Sequence, residues 1–171
     1  MMVEERLNHL EARLSATEER LRTAEDHVAI LQLVATYGPA VDSGTADVTA
    51  GLWVKEGTYD TYPQIFNGRE EIAAMVVGDR HQALIHGGAA HLLGIPHISI
   101  SGDEAVVTNY SQLIRTNPDT GGFETLRTGV NRWELRREPS RGWRVVHRSN
   151  RQLDGDSESR ELLARAVTEM L

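Results

Sequence analysis

Two side chains in this sequence have the types that general acid/base chemistry requires. Asp42 closes the segment from Tyr37 to Asp42, and His91 opens an apolar run that continues to Ile95. An imidazole accepts and returns a proton near neutral pH, and a carboxylate can hold that imidazole through its second ring nitrogen. We therefore predict a His–Asp pair suited to elimination or isomerisation.

Each of these residues also has an ordinary structural interpretation. Asp42 precedes Ser43-Gly44, a position where a carboxylate commonly ends or caps a helix. A single histidine near the start of a strand is more often structural than catalytic, and Tyr37 is as well suited to a hydrophobic core. The residues alone leave these alternatives open.

Hydrophobic periodicity predicts an α+β fold in which helices precede an antiparallel sheet. The predicted helices cover residues 3–34, 46–52 and 69–77 and part of the tail after 154, and the predicted strands cover 53–60, 98–100, 105–115, 123–137 and 143–151. Pro39 predicts that the first helix ends or kinks near Tyr37. On an ideal helix Tyr37 and Asp42 lie about 140° apart, so an irregularity at Pro39 is expected to bring both to one cavity.

The N-terminal segment carries an apolar heptad seam that predicts a coiled coil over residues 1–27, followed by the main domain over 28–171. The seam residues alternate at spacings of three and four: Leu7, Leu10, Leu14, Thr17, Leu21, Ala24, Val28 and Leu31. We predict that the seam pairs with another copy of the chain as a homodimer or homotrimer, since leucine at most seam positions does not specify the number of strands. Packing of this helix on its own domain is the alternative.

Composition excludes several classes of function. The formal net charge of −7 argues against nucleic-acid binding, and the chain has no cysteine for thiolate chemistry. No apolar run reaches the length of a membrane span, and the acidic N-terminus is unlike a signal peptide, so a cytoplasmic location is expected. No cofactor is expected, because phosphate-binding loops and a nucleophilic serine elbow are absent. No metal site is expected either, because His81, His86, His91 and His97 have spacings that do not share a helix face.

Four segments, taken in order, resemble the SnoaL-like branch of the nuclear transport factor two-like superfamily. They are Tyr37 to Asp42, Phe66 to Ile72, the run from His91 with the hairpin Ser101 to Ala105, and Gly142 to Val146. The branch includes scytalone dehydratase, bile-acid dehydratases and a hexachlorocyclohexane dehydrochlorinase. The resemblance covers about residues 28–153 and implies a cone-shaped α+β barrel, in which a curved antiparallel sheet packs with three helices around a pocket.

The resemblance also implies roles for individual residues. His91 would be the general base, Asp42 its orienting partner and Tyr37 a hydroxyl donor to a substrate oxygen. Arg148 stands where relatives often have a basic pocket residue that steadies an anion or a leaving group; a surface arginine on a strand is the alternative. Relatives commonly have asparagine four residues after the histidine, and Ile95 at this position implies a less polar cavity.

Alternation along the second long strand adds further candidates for the substrate site. Thr108, Tyr110, Gln112 and Ile114 share one face, and by analogy this face is the inner one. Asn131 and Trp53 are weaker candidates, so the substrate-binding set is Arg148, Tyr110, Gln112, Asn131 and Trp53.

Together these features predict a cofactor-free lyase or isomerase, dehydratase-like, that acts on a small hydrophobic hydroxylated or ketonic molecule. The alternatives are a non-catalytic small-molecule binding or assembly protein of the same fold, and a polyketide cyclase or epoxide hydrolase. Known epoxide hydrolases of this fold use an Asp-Arg-Asp set, which the sequence does not show convincingly.

Overall fold

The computed structural model describes residues 2–168, which form five helices and one mixed sheet of seven strands. The helices are α1 (Met2–Asp42), α2 (Ala46–Gly51), α3 (Gly68–Val77), α4 (Asp79–His86) and α5 (Ser157–Thr168). The strands are β1 (Trp53–Asp60), β2 (Ile65–Asn67), β3 (Ala89–Leu93), β4 (His97–Ser101), β5 (Glu104–Thr116), β6 (Phe123–Glu138) and β7 (Gly142–Gln152). The predicted α+β class is confirmed.

The sheet is curved and remains open. Its strand order is β2-β1-β7-β6-β5-β3, and β4 pairs with β5 beside β3. The prediction of a wholly antiparallel sheet is wrong at one place, because β1 pairs with β7 in parallel. Strands that adjoin in sequence, such as β5 and β6, pair antiparallel as expected. The sheet therefore curves as the family resemblance implied but does not close into a barrel.

Helix α1 continues through Pro39 to Asp42, so of the two alternatives predicted there, a kink or a helix end, the helix end is wrong. After Asp42 the chain turns at once, and the N–H of Ser43 donates to the carbonyl oxygen of Pro39 at 3.0 Å. Tyr37 and Asp42 thus belong to one continuous helix. The division into a coil over 1–27 and a domain over 28–171 remains a prediction, and α1 passes through that boundary without a break.

Asp26 is the first residue of α1 that the rest of the protein buries. Its carboxylate accepts hydrogen bonds from Nη2 of Arg137 at 2.5 Å and from Nε1 of Trp143 at 3.0 Å. The hydrogen bond from Arg137 contributes most to lowering the pKa of Asp26 below its ordinary value. This contact fixes α1 against β6 and β7, and from here the helix packs across the sheet.

The core lies between α1 and the sheet and is built around three fully buried aromatic residues. Tyr37 of α1 contacts Trp53 of β1 and Trp133 of β6 edge-on, with ring centroids 6.1 Å and 5.7 Å apart. Edge-to-face contacts of this kind add to the hydrophobic free energy gained when the rings are buried. Trp53 is therefore a core residue, and the prediction that it binds substrate is not supported by its position.

Alternation along β5 is less regular than predicted, because Val107, Thr108 and Asn109 are buried in succession. Ala105, Val107, Asn109 and Leu113 are buried, whereas the side chain of Tyr110 is 55% exposed. The assignment of Tyr110 to the interior is thus wrong, whereas Thr108 on the same predicted face is buried and Gln112 lines the cavity. Within residues 2–168, no helix is long and apolar enough to cross a membrane.

Candidate active site

A cavity of about 340 Å³ lies between the helices and the inner face of the sheet. Its walls combine apolar side chains with a larger number of polar and ionisable ones. Apolar lining residues include Phe66, Met75, Leu84, Leu93 and Leu113, and polar ones include Tyr37, Tyr59, His81, His91, Ser111, Arg148 and Asn150. A cavity of this size is typical of a small-molecule site.

His91 lies in the middle of β3, and Asp42 at the end of α1 holds it at two points. Nδ1 of His91 donates to Oδ1 of Asp42 at 2.6 Å, and the backbone N–H of His91 donates to Oδ2 at 2.8 Å. Both oxygens of the carboxylate are therefore engaged by the same residue. Since a carboxylate only accepts, Nδ1 carries the proton and Nε2 of His91 carries the lone pair.

The His–Asp pair depends on a close approach of α1 to β3, and Gly38 permits that approach. A Cβ atom on Gly38 would lie 2.6 Å from the carbonyl oxygen of His91, closer than atoms of this kind can pack. Gly38 and Asp42 are one helical turn apart, so the same face of α1 meets His91 through both residues. Because Gly38 has no side chain, α1 approaches β3 closely enough for the Asp42 carboxylate to reach His91.

Replacing Gly38 with alanine is expected to destabilise the protein by about 1–3 kcal/mol, because the new methyl group must displace β3. Alanine is otherwise favoured over glycine within a helix by up to about 1 kcal/mol. Gly51, at the end of α2, serves as the control, because a Cβ atom there would meet no other atom within 4 Å. Urea denaturation of Gly38→Ala and Gly51→Ala measures both effects; equal stabilities would contradict the close packing at His91.

Tyr37 and Tyr59 form a pair of buried hydroxyl groups on the cavity wall. The hydroxyl of Tyr37 donates to that of Tyr59 at 3.3 Å. Burial raises the pKa of Tyr59 well above its ordinary value, so its hydroxyl stays protonated at neutral pH. Because Tyr37 donates to Tyr59, the hydroxyl proton of Tyr59 is the one that remains available to a ligand.

Arg148 of β7 is 2% exposed, and its guanidinium lies among three aromatic rings. Its Cζ is 3.9 Å from the ring centroids of Tyr37 and Trp133 and 4.4 Å from that of Tyr59. Such cation–π contacts offset part of the free-energy cost of burying the charge. In the described chain no carboxylate pairs with Arg148, and its Nη1 lacks a hydrogen-bond partner. The cavity wall therefore contains a buried cation whose Nη1 donor is unpaired and covered by neighbouring atoms.

Asn131 and Asn109 form a hydrogen-bonded chain that orients the side chain of Arg148. Oδ1 of Asn131 accepts from Nε and Nη2 of Arg148 at 3.2 Å and 2.9 Å. The amide nitrogen of Asn131 in turn donates to Oδ1 of Asn109 at 3.2 Å, which also accepts from Nε1 of Trp133. These contacts fix the amide orientation of Asn131, so the guanidinium is held by a neutral acceptor that does not offset its charge.

The chain matches the model of the SnoaL-like domain over residues 22–149. The protein belongs to the SnoaL-like domain family. Its solved relatives include an NTF2-like protein with a cystatin-like fold from Novosphingobium aromaticivorans, which is 41% identical over 85% of this chain and 93% of that chain, with a TM-score of 0.82. The predicted membership of the SnoaL-like branch of the NTF2-like superfamily is confirmed.

More distant structures share the fold of this SnoaL-like protein. An NTF2-like superfamily protein from Salmonella enterica is 19% identical over 80% of this chain and 98% of that chain, with a TM-score of 0.63. The protein Aln2 from Streptomyces is 21% identical over 83% of this chain and 96% of that chain, also with a TM-score of 0.63. A search of curated proteins finds no significant match.

The structure brings together some of the predicted site residues of this SnoaL-like protein and separates others. His91, Tyr37, Arg148 and Gln112 line the cavity. Asp42 lies behind His91, so Tyr37 and Asp42 do not need to reach one cavity, and the expected irregularity at Pro39 is unnecessary.

The remaining candidates lie elsewhere. Tyr110 is on the outer face of β5, and Asn131 is fully buried behind Arg148. Ile95 is 95% exposed, so the inference that it makes the cavity less polar is wrong. Their roles as substrate-binding residues therefore have no support from position, although Asn131 acts on the site through Arg148.

Tyr59 and His81 are among the cavity residues that the sequence did not single out as site residues. Tyr59 belongs to the predicted strand β1, and inward alternation along that strand was the available signal. His81 belongs to α4, which was not predicted because the helix is short. Its Nε2 lies 2.9 Å from the carbonyl oxygen of Val41, and its ring centroid lies 5.9 Å from that of His91. Among residues 2–168, no three His, Asp or Glu side chains are grouped as metal ligands would be.

Proposed function

We propose that the protein is a cofactor-free, dehydratase-like lyase or isomerase that uses His91 and Asp42 for general acid/base chemistry. This proposal rests on one observation: Asp42 accepts hydrogen bonds from both Nδ1 and the backbone N–H of His91. A histidine held in one tautomer at a cavity wall presents its basic nitrogen in a fixed direction.

In the proposed reaction, Nε2 of His91 removes a proton from a carbon next to a carbonyl group. The released electron pair forms a carbon–carbon double bond, and the carbonyl oxygen takes on negative charge. In an elimination, the enolate then re-forms its carbonyl group, its electron pair makes a double bond to the β carbon, and the C–O bond of the β-hydroxyl group breaks. The imidazolium gives its proton to that departing hydroxyl group, so that water leaves. In an isomerisation, the proton returns to a different carbon. Asp42 stabilises the imidazolium in both cases without itself being protonated.

Arg148 and the tyrosine pair supply hydrogen-bond donors for the oxygen that becomes negatively charged in the reaction. Nη1 of Arg148 has no partner in the described chain, and Tyr59 has a hydroxyl proton to donate. Both groups adjoin the ring of Tyr37, whose centroid is 6.3 Å from that of His91. Preorganised donors near a base stabilise the oxyanion that forms as the proton leaves. We propose that Arg148 and Tyr59 bind the substrate carbonyl oxygen.

The cavity supports a small, largely hydrophobic substrate. Its volume of about 340 Å³ is at the lower end of small-molecule sites. Phe66 and Met75 line one part of it, and Leu93 and Leu113 another. A compact molecule with one or two rings, carrying a ketone and a hydroxyl group, matches both the apolar and the polar side chains of the wall.

A non-catalytic binding protein is the second candidate, favoured by the unused donor of Arg148, which suits an anionic ligand without any chemistry. An epoxide hydrolase of the Asp-Arg-Asp type is less well supported, because Arg148 has no ion-pair partner among the carboxylates of residues 2–168. Proton exchange at carbon separates an enzyme from a binding protein, since only a base in contact with the substrate catalyses it.

The test uses small cyclic and aryl ketones and their β-hydroxy derivatives in D₂O. Proton NMR follows deuterium exchange next to the carbonyl, and ultraviolet absorbance follows formation of the conjugated enone. We expect catalysed exchange or dehydration with at least one compound of the panel. Binding of panel compounds without either reaction would overturn the proposal in favour of a binding protein.

Asn131→Asp tests the charge of Arg148 with almost no change in shape. The new carboxylate would pair with the guanidinium, so we expect affinity for benzoate to fall by about 10–100-fold, in line with 1.5–3 kcal/mol for a hydrogen bond to a charged group. Affinity for neutral benzyl alcohol should change little. Quenching of tryptophan fluorescence measures both, because Trp133 contacts Arg148.

Asn8→Asp is the control for that experiment, because it adds the same charge on the exposed part of α1. It should leave both affinities unchanged. Equal loss of benzoate and benzyl alcohol binding in Asn131→Asp would indicate a general disturbance of the cavity and would contradict the role assigned to the charge.

A further inference from the structure

The N-terminal part of α1 projects away from the fold with an apolar seam that no other segment of residues 2–168 covers. Every residue from Met2 to Glu25 is exposed. The large apolar seam residues are 42% to 59% exposed: Leu7, Leu10, Leu14, Leu21, Val28 and Leu31. The alternative that this helix packs on its own domain is therefore wrong for the segment before Asp26.

The residues that flank the seam have a regular pattern of charge. With Leu7 at heptad position a, the g positions are Arg6, Arg13 and Arg20, and the e positions are Glu11, Glu18 and Glu25. Each glutamate follows an arginine by five residues. On one helix, residues five apart lie about 140° from each other and do not pair. The spacing of five therefore does not pair these arginines with these glutamates along one helix.

A spacing of five residues is the one at which side chains of two parallel helices meet across a coiled coil. In a parallel pair, a g residue of one helix meets the e residue of the following heptad on its partner. Each of the three arginines on either helix would then face a glutamate on the partner helix. In an antiparallel pair, g faces g and e faces e, so arginine would meet arginine and glutamate would meet glutamate. The charges thus favour one orientation and oppose the other.

The position of the folded domain agrees with this arrangement. Asp26 and Ile30, at heptad positions f and c, are buried against the domain, whereas Val28 and Leu31 on the seam stay exposed. Positions f and c lie on the outside of a coiled coil. The domain therefore occupies the outer side of α1, and the seam remains open to another helix as far as Leu31.

We propose that the seam binds the same segment of another copy of this chain in a parallel, in-register coiled coil. The arginine–glutamate pairs between heptads specify the orientation, and the apolar seam supplies the buried surface. The folded domains then lie at the same end of the coil, each on its outer side. This proposal does not depend on the chemistry of the cavity.

Single cysteines in the full-length chain test the register, because the natural sequence has none. Leu14→Cys and Ala24→Cys place a thiol on the seam, and Ala12→Cys, at an outer f position, is the matched control. Under mild oxidation, both seam variants should form disulfide-linked pairs on a non-reducing gel, and Ala12→Cys should not. An antiparallel coil brings equal positions together only near its crossing point, so cross-linking at just one seam position, or at neither, would overturn the proposal.

A charge-exchanged chain tests the orientation. It carries glutamate at positions 6, 13 and 20 and arginine at positions 11, 18 and 25. In parallel pairing this variant assembles with itself but is repelled by the natural chain, whereas antiparallel pairing would favour mixed assemblies. Mixing the two chains, one with an affinity tag, should give no co-purification. Mixed assemblies, or a monomeric mass for the natural chain by sedimentation at micromolar concentration, would overturn the proposal.

Discussion

His91→Ala is expected to lower the rate of α-proton exchange and dehydration by ~10²–10⁴-fold, the usual effect of removing a general base. The substitution removes Nε2, which carries the lone pair in the tautomer that Asp42 selects. Ligand binding should persist, because Arg148 and the tyrosine pair are untouched. Kinetics on the most reactive ketone of the panel, with benzoate binding measured in parallel, would separate loss of chemistry from loss of the cavity.

His97→Ala is the control for that measurement. His97 is an exposed histidine on β4 and does not line the cavity. Its replacement should leave the rate unchanged. Near-normal turnover in His91→Ala would mean that another group takes the proton, and the His–Asp mechanism would then be wrong.

Asp42→Asn is expected to cause a loss of similar size, on the order of 10²–10⁴-fold, although the base itself remains. His91 presents two donors to Asp42, and an asparagine offers only one oxygen to accept them. The amide N–H₂ group would favour the tautomer of His91 in which Nδ1 carries the lone pair. Nε2 would then carry the proton and could no longer act as a base.

Nitrogen NMR of the His91 ring provides a readout that distinguishes this explanation from simple destabilisation. The Asp42→Asn protein should show the proton moved from Nδ1 to Nε2, with benzoate affinity close to that of the natural protein. Asp47→Asn, an exposed substitution on α2, should change neither the spectrum nor the rate. An unchanged His91 tautomer together with full activity in Asp42→Asn would rule out the orienting role.

Local patterns in the sequence determine most of the secondary structure of this protein. The heptad spacing of α1, the alternation of β5 and the turn at Gly102 are each encoded within a few residues, so they can be recognised without knowledge of the fold. The pairing of Asp42 with His91 was predictable only through the ordered resemblance to a family, because the two residues are far apart in the chain. Helix α4 was not predicted, because its eight residues are too few to show a clear hydrophobic periodicity.

Only the tertiary structure decides which groups meet at the cavity. Alternation along β5 defines two faces, but packing against α1 and β6 determines that Asn109 points inward and Tyr110 outward. The parallel pairing of β1 with β7 joins segments about 90 residues apart and brings Tyr59 beside Arg148. The surroundings of Arg148 depend on residues from α1, β1 and β6 together. Its burial among aromatic rings, without a carboxylate partner in the described chain, is thus a property of the fold that no local pattern contains.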